Sequence, residues 1–148
     1  MESMQQAVVD WRRKFKLPVG HHVRTLDPEK AQAHIELIRE EFEKELVPAL
    51  EQGDQVEIYD AGIDVIVYVI GLLSDGGYDI QPGLEEVMRG NFSKLDPVTK
   101  EPIFSRGNEI DGAPLGKVMK GSAYVPPNLK DIVESGAADI EFGEEFYR

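Results

Sequence analysis

Three carboxylates recur at helical spacing inside one strongly apolar segment. Residues 55–73 read QVEIYDAGIDVIVYVIGLL, and the acids are Glu57, Asp60 and Asp64. At about 100° per residue these three fall within roughly 60° of one another on a helix and form a polar stripe. Burying an unpaired ionised carboxylate is costly, and residues 55–78 contain no Lys or Arg. A divalent metal ion bound by these acids accounts for the stripe.

A second acidic set precedes this stripe. Residues 28–50 are expected to form a helix that carries Glu40, Glu41 and Glu45. Glu41 and Glu45 are four apart and share a helical face, and Glu40 lies beside them. A short turn at residues 52–54 would bring this face against the stripe. Carboxylates from two facing helices can chelate Mg²⁺ or Mn²⁺ through oxygen.

Other roles stay open for some of these acids. Glu36 and Glu43 fit solvated charges on the outer face of the first long helix. Asp54-x-x-Glu57 has the form of a capping box, so Glu57 is either a metal ligand or part of a helix start. The three histidines, His21, His22 and His34, have no ligand spacing with another metal-binding residue, so a zinc site is not expected.

Composition narrows the class of protein. The 148 residues suit a single domain, and the net charge of −12 argues against nonspecific nucleic-acid binding. It does not exclude a small phosphorylated ligand, because metal ions can reconcile an acidic site with an anion. The absence of cysteine excludes disulfides and thiolate metal sites. Without a signal-peptide core or an unbroken apolar run of about 20 residues, the chain is expected to be cytoplasmic and away from membranes.

The remaining pattern predicts an all-α protein with a long irregular C-terminal loop. Helices are expected at residues 5–15, 28–50, 55–75, 84–95 and 128–135. Pro48 should kink or break the second of these, and Pro82-Gly83 should form a turn before the fourth. The predicted single domain, residues 1–148, divides into an N-terminal helix and loop (1–26), core helices (27–95), a substrate-covering loop (96–133) and an acidic tail (134–148).

Four ordered motifs resemble one known superfamily. They are Glu40-Glu41 followed by Glu45, then Glu57-x-x-Asp60-x-x-x-Asp64, then EVMRGNFSKL at residues 86–95 and GKVMKGSAYVPP at residues 116–127. Together they resemble the all-α nucleotide pyrophosphohydrolases that include MazG, phosphoribosyl-ATP pyrophosphohydrolase and dimeric dUTPase. The second of these branches fits best. The chain departs from the family's EExxE by one extra residue before Glu45, has Ala61 three residues before Asp64, and carries an insertion at residues 108–115.

The resemblance implies a MazG-like helical bundle with an oligomeric four-helix core. It implies Mg²⁺-dependent cleavage of the α–β phosphoanhydride of a nucleoside triphosphate, giving the monophosphate and pyrophosphate, in housekeeping of the nucleotide pool. Glu40 would be the general base, and the metal ligands would be Glu41, Glu45, Glu57, Asp60 and Asp64. The substrate contacts would be Arg89, Asn91, Lys94, Lys120 and Tyr124. A homodimer or homotetramer is expected, since residues 58–73 are too apolar for one chain to cover.

Two alternatives belong to other functional classes. One is a catalytically lapsed metal-binding or interaction module of the same fold, whose altered acids no longer assemble a site. The other is a plain structural helical bundle. Metal-dependent pyrophosphate release separates the enzyme from both.

Overall fold

The structure, a computed structural model, describes residues 3–135 and is helical. Within that range there is no β-strand, and one isolated antiparallel bridge joins Phe104 and Val118. The expected all-α class is therefore confirmed. The described chain forms two compact units, residues 3–80 and 81–135, and each is described by itself. The predicted acidic tail lies, from residue 136 onward, outside the described residues.

The first unit contains four α-helices and one π-helical segment. They are α1 (Met4–Lys14), α2 (Pro28–Glu40), the π segment (Glu41–Leu46), α3 (Val47–Gln52) and α4 (Gln55–Asp75). Asp27 caps α2 by accepting a hydrogen bond from Lys30 N–H, and Asp54 caps α4 by accepting one from Glu57 N–H. Gly53 ends α3 in the left-handed conformation at φ +68°, which a residue with a Cβ adopts poorly. The predicted helix starts at residues 28 and 55 are confirmed.

Pro48 does not end the first long helical span. The chain stays helical from α2 through the π segment into α3, and Pro48 lies in the first turn of α3. In a regular α-helix its ring would collide with the Lys44 carbonyl four residues earlier. The wider hydrogen-bonded turn immediately before it is a helical geometry that relieves this conflict. The predicted break is therefore replaced by a change of helix class.

Helix α4 is the central element of the first unit but is not buried on all sides. It packs against α1, α2, α3 and the π segment, and it buries Ala61 and Ile70. One side of it remains open: Val56 is 76 % exposed, Tyr59 75 %, and Ile63 and Ile66 44 % each. Burial of the whole apolar helix within one chain is therefore not observed.

The second unit is built on α5 (Ile80–Phe92), whose first residue belongs to the first unit, and on the short α6 (Leu129–Glu134). The predicted turn at Pro82-Gly83 is wrong, because both residues lie in the first turn of α5. An N–H in that turn has no partner within the helix, so proline is tolerated there. The helix ends at Phe92 rather than at the predicted Leu95. Beyond Phe92, the N–H groups of Lys94 and Leu95 donate to carbonyls three residues earlier, so the α-helical hydrogen-bond pattern has ended. Asn128 caps α6, as its side chain accepts from Asp131 N–H.

A buried ion-pair network ties the first unit together. Asp75, with its side chain 2 % exposed, ends α4. Its Oδ2 lies 2.8 Å from His34 Nε2 on α2 and 3.9 Å from Arg12 Nη2 on α1. Its Oδ1 accepts from Arg24 Nη2 at 2.7 Å, and Arg24 Nε donates to the Asp75 carbonyl. We call these four residues the Asp75 network.

The network keeps Asp75 ionised despite its burial. Burial alone would raise the pKa of its carboxyl group, but hydrogen bonds from His34 and Arg24 and the charges of His34 and Arg12 outweigh that effect. The pKa of Asp75 is therefore lowered from its usual value. Burial lowers the pKa of Arg12, and the Asp75 charge opposes this. Each charge compensates the other's desolvation.

Asp75→Asn should lower the free energy of unfolding by about 3 kcal/mol at neutral pH, because Arg12 would remain buried without its counter-charge. A carboxyl group whose pKa is lower in the folded state stabilises the protein fully when the pH is above its unfolded-state pKa. This stabilisation is lost as the pH falls through the folded-state pKa. The loss of unfolding free energy in Asp75→Asn, relative to the wild type, should therefore be largest above pH ~4 and become smaller below it. Urea unfolding across pH measures this, with the exposed Glu51→Gln as a charge-matched control. Equal stability of Asp75→Asn and Glu51→Gln at pH 7 would contradict the assignment.

No helix within the described residues is both long enough and apolar enough to cross a lipid bilayer.

Candidate active site

The predicted acids of the two facing helices come together in the first unit. The π segment packs against α4, and Glu41 stands among carboxylates of both elements. Burial raises the pKa of Glu41, and the charges of Asp64, Glu45, Asp60 and Glu40 raise it further, in that order of size. We call these five residues the carboxylate cluster. Like charges this close favour a cation between them.

Glu57 is the one predicted ligand that stands apart from this cluster. It is exposed in the first turn of α4, and it is not among the four charges that raise the pKa of Glu41. Its backbone N–H donates to Asp54 Oδ1 at 3.2 Å, while Asp54 N–H donates to the Ala49 carbonyl. Asp54 therefore caps the helix without the reciprocal bond of a full capping box. The metal role of Glu57 stays a prediction.

Tyr68 belongs beside the cluster and was missed by the sequence reasoning. Burial raises the pKa of its phenol, and the charges of Glu41, Asp64 and Glu40 add to the effect. The hydroxyl consequently stays protonated well above neutral pH and can donate a hydrogen bond to a carboxylate or a ligand. The signal was present in the sequence, because Asp60, Asp64 and Tyr68 follow one another at four-residue spacing on α4.

The donor set of the cluster fits a hard divalent cation. All five side chains offer carboxylate oxygens, the ligands that Mg²⁺ and Mn²⁺ prefer, and a cation would relieve the repulsion at Glu41. Within residues 3–135, however, no three Asp, Glu or His side chains stand close enough to hold a metal ion as they are oriented. The four exposed or half-exposed glutamates and aspartates around Glu41 would have to change rotamer to converge on one ion.

An open groove of about 770 Å³ is lined by residues of α1, α2 and α4 and includes Asp64 of the carboxylate cluster. Asp64 and Tyr68 line one part of it, and Arg12, His34 and Asp75 of the Asp75 network line another. The rest of the wall is mostly apolar and includes Trp11, Leu17, Pro18, Leu37 and Val67. A mostly apolar groove with a few charged groups at its ends is the general form of a small-molecule site.

The five predicted substrate contacts all lie in the second unit. Lys120 Nζ sits 4.9 Å from the centre of the Tyr124 ring, a cation–π contact that brings two of them together. Asn91 is exposed on α5 with only a 3.9 Å contact from Nδ2 to Met88 Sδ, and Lys94 is half-buried just after that helix. Their roles toward a substrate stay predictions.

Arg89 has a structural role that the sequence did not reveal. Its Nε donates to both carboxylate oxygens of Glu86 at 3.1 Å, and its Nη2 donates to Glu86 Oε1 at 2.9 Å. Nη2 also donates to the carbonyls of Val125 and Pro126. Ser93 Oγ accepts from Val125 N–H at 3.0 Å. Arg89 therefore fastens the YVPP part of the last motif to α5 through Nε and Nη2.

Close backbone approach explains the glycines of the same two motifs. A Cβ on Gly90 would come within 3.0 Å of Pro127 Cδ, and one on Gly121 within 2.8 Å of the Lys94 and Leu95 carbonyls. Gly121 N–H also donates to the Lys94 carbonyl at 2.9 Å. Residues 86–95 and 116–127 thus form one packed structure within the second unit.

Comparison with known proteins agrees with the helical architecture and the acidic site. The family model described as phosphoribosyl-ATP pyrophosphohydrolase matches residues 8–91, which contain most of α1, all of α2 to α4 with the carboxylate cluster, and most of α5. No curated protein matches the chain. Because the match covers more than half of the 148 residues, the chain belongs to the phosphoribosyl-ATP pyrophosphohydrolase family, and this membership supports an activity of the nucleotide pyrophosphohydrolase type.

Proposed function

We propose that the protein is a Mg²⁺-dependent hydrolase that cleaves the α–β phosphoanhydride of a nucleoside triphosphate or a related nucleotide. The observation that carries the proposal is the carboxylate cluster around Glu41, which combines five oxygen-donor side chains with the groove lined by Asp64 and Tyr68. A polyphosphate brings more negative charge into this already acidic site. The substrate can therefore bind only together with cations.

The residues of the carboxylate cluster and Tyr68 each have a part in the proposed reaction. Asp60, Asp64, Glu41 and Glu45 would hold Mg²⁺, which when bound neutralises the phosphates and polarises the scissile anhydride. Glu40 accepts a proton from the attacking water as the water oxygen bonds to phosphorus. The P–O bond of the α–β bridge breaks, and a nucleoside monophosphate and pyrophosphate leave. Tyr68, protonated beside Glu41, can orient a carboxylate or the water through its hydroxyl.

The groove supports a nucleotide rather than inorganic polyphosphate as the substrate. Its apolar wall, with the Trp11 ring at one side, suits a flat base, while the cluster end suits the phosphates. Trp11 is the only tryptophan of the chain, so its fluorescence reports directly on occupancy of this groove.

A lapsed metal-binding module of the same fold remains a second candidate. The observation in its favour is that no three side chains in the described part of the chain are arranged for a metal ion. Turnover measurements separate the two candidates.

Incubation with a panel of nucleoside triphosphates and phosphoribosyl-ATP should give pyrophosphate and a monophosphate in the presence of Mg²⁺ or Mn²⁺, and nothing with EDTA. The panel should include dUTP and dCTP, and the products should be resolved by ³¹P NMR. A preferred nucleotide should also change the fluorescence of Trp11. Orthophosphate with a diphosphate product, or no turnover of any nucleotide, would refute the proposed reaction.

Asp60→Asn and Asp64→Asn should each lower kcat/KM by at least about 100-fold, since even residues behind metal ligands contribute 10–100-fold. The metal-free variants should be as stable as the wild type or more stable at neutral pH. The raised pKa of Glu41 means that its ionised form opposes folding, and each variant removes one repelling charge. Steady-state kinetics and metal-free thermal unfolding measure both effects, with Glu51→Gln as the control. Full activity of both variants would place the metal elsewhere.

We also propose that a second copy of the chain covers the open side of α4. Val56, Tyr59, Ile63 and Ile66 recur at alternating three- and four-residue spacing, which places them on one face, and each is at least 44 % exposed. A helix–helix seam of this pattern buries its apolar face against another helix. The expected assembly is a homodimer or homotetramer.

Light scattering at micromolar concentration should give a mass of two or four 16.6 kDa chains. Ile63→Glu with Ile66→Glu should shift the protein to monomer, because two charges would enter the seam. Val98→Glu with Ile110→Glu introduces the same two charges at sites of the second unit that are 88 % and 89 % exposed, and should leave the mass unchanged. A wild-type mass of one chain would disprove the assembly.

A further inference from the structure

The spacing of the three glutamates does not suit a regular α-helix. At about 100° per residue, Glu45 would point roughly 140° away from Glu40 around the axis. The three side chains would then spread over more than a third of the circumference, and Glu40 and Glu45 could not both face α4. Yet the segment Glu41–Leu46 packs against α4 in the structure.

The π segment changes this geometry. Its hydrogen bonds run from a residue to the carbonyl five residues earlier, as in the bond from Val47 N–H to the Phe42 carbonyl. Each such turn contains about one residue more than an α-turn, so residue i+5 stands over residue i as residue i+4 does in an α-helix. Glu45 is therefore brought over Glu40, within about 50° of it rather than 140°.

The elements on either side show that the extra residue is confined to this segment. Glu41 N–H still donates to the carbonyls of Leu37 and Ile38, the α-type pattern at the end of α2. Both flanking positions keep α-helical dihedrals, at φ −60°, ψ −49° for Glu40 and φ −61°, ψ −50° for Val47. Pro48 follows at the start of α3, where the wider turn avoids its collision with Lys44.

We infer that the π segment is a one-residue insertion in an otherwise α-helical span, and that it positions Glu40, Glu41 and Glu45 on one face toward α4. The inference deepens the proposed function and rests on it for the metal-binding role of these glutamates. The inserted turn itself is independent of that role. The π segment is a positioning device: it lets the chain carry an extra residue without losing the shared face.

Deleting one residue between Glu41 and Glu45 should then restore a plain α-helix. Glu43 is the choice because it is exposed and makes only a 3.9 Å contact with the exposed Arg39. Without Glu43, Glu41 follows Glu40 by one position and Glu45 follows it by four. An α-helix places three side chains at this spacing within about 100° of one another. Glu43→Ala keeps the insertion and is the control for loss of the side chain. Deletion of the exposed Glu36, inside regular α2, is the control for loss of a residue.

The experiment compares these variants in a Pro48→Ala background, which serves as the reference protein, because in a plain α-helix the Pro48 ring would collide with the Lys44 carbonyl. The readouts are thermal unfolding without metal and calorimetric titration with Mn²⁺ alone. Deletion of Glu43 should leave Tm within about 3 °C of Glu43→Ala, since both ends of the span stay in phase. Deletion of Glu36 should lower Tm by 10 °C or more, because it rotates His34 away from Asp75. Mn²⁺ affinity should change less than about threefold on deletion of Glu43. It should fall at least tenfold when an alanine is inserted after Glu43, which rotates Glu45 off the shared face.

A Tm loss on deletion of Glu43 as large as that on deletion of Glu36 would overturn the inserted turn. A folded Glu43 deletion that binds Mn²⁺ at least tenfold more weakly than the Pro48→Ala reference would overturn the positioning role. If the wild type binds no Mn²⁺, the metal centre proposed above fails. In that case the inserted turn is tested by the unfolding comparison. It is also tested by NMR distance contacts within the π segment, between residues four and five positions apart.

Discussion

The ionised carboxylate of Asp75 is the constraint on which the first unit depends. It sits at the end of α4 with almost no exposure, and its partners come from α1, from the segment before α2 and from α2 itself. Those three parts of the chain must therefore meet at one point, or a buried charge stays uncompensated at a cost of several kcal/mol. The network fixes the walls of the groove, since Arg12, His34 and Asp75 are also lining residues.

The same helix carries the opposite electrostatic situation in its first half, at Asp60 and Asp64. Asp64 lies eleven positions before Asp75, about 16 Å along the axis. There the carboxylates meet one another instead of cations, and the pKa of Glu41 is raised rather than lowered. Helix α4 thus carries both a compensated acid, which contributes stability, and a set of mutually repelling acids, which opposes it. The proposed metal ion would relieve this repulsion at a site held by a rigid helix.

Local signals in the sequence predicted most of the helix ends. Asp27, Asp54 and Asn128 cap helices through bonds to residues three positions away, and such short-range chemistry is legible in a sequence. The error at Pro82 arose because a proline in the first turn of a helix resembles a proline in a loop. The acids of the cluster followed from helical periodicity, and Tyr68 would have followed from the same spacing.

Features that depend on distant parts of the chain were not predictable. The partners of Asp75 lie 41 and 51 positions away in the sequence for His34 and Arg24. Nothing in the local pattern around the end of α4 indicates them. The π segment is an intermediate case. The extra residue before Glu45 was visible as a departure from the family spacing, but only the hydrogen-bond register shows where the chain absorbs it.

The second unit shows how the chain can accommodate the insertion expected at residues 108–115, between its last two motifs. Ser105 N–H donates to the Lys117 carbonyl, and Gly116 N–H donates to the Ser105 carbonyl, so the loop closes at its base. Within the loop Arg106 pairs with Asp111, and Ser105 Oγ donates to the Ala113 carbonyl. Because the ends are fixed by their own bonds, extra residues between them add only a small closure entropy. The motif at residues 116–127 therefore keeps its place on α5 through Arg89, Ser93 and Gly121, whatever the length of the loop before it.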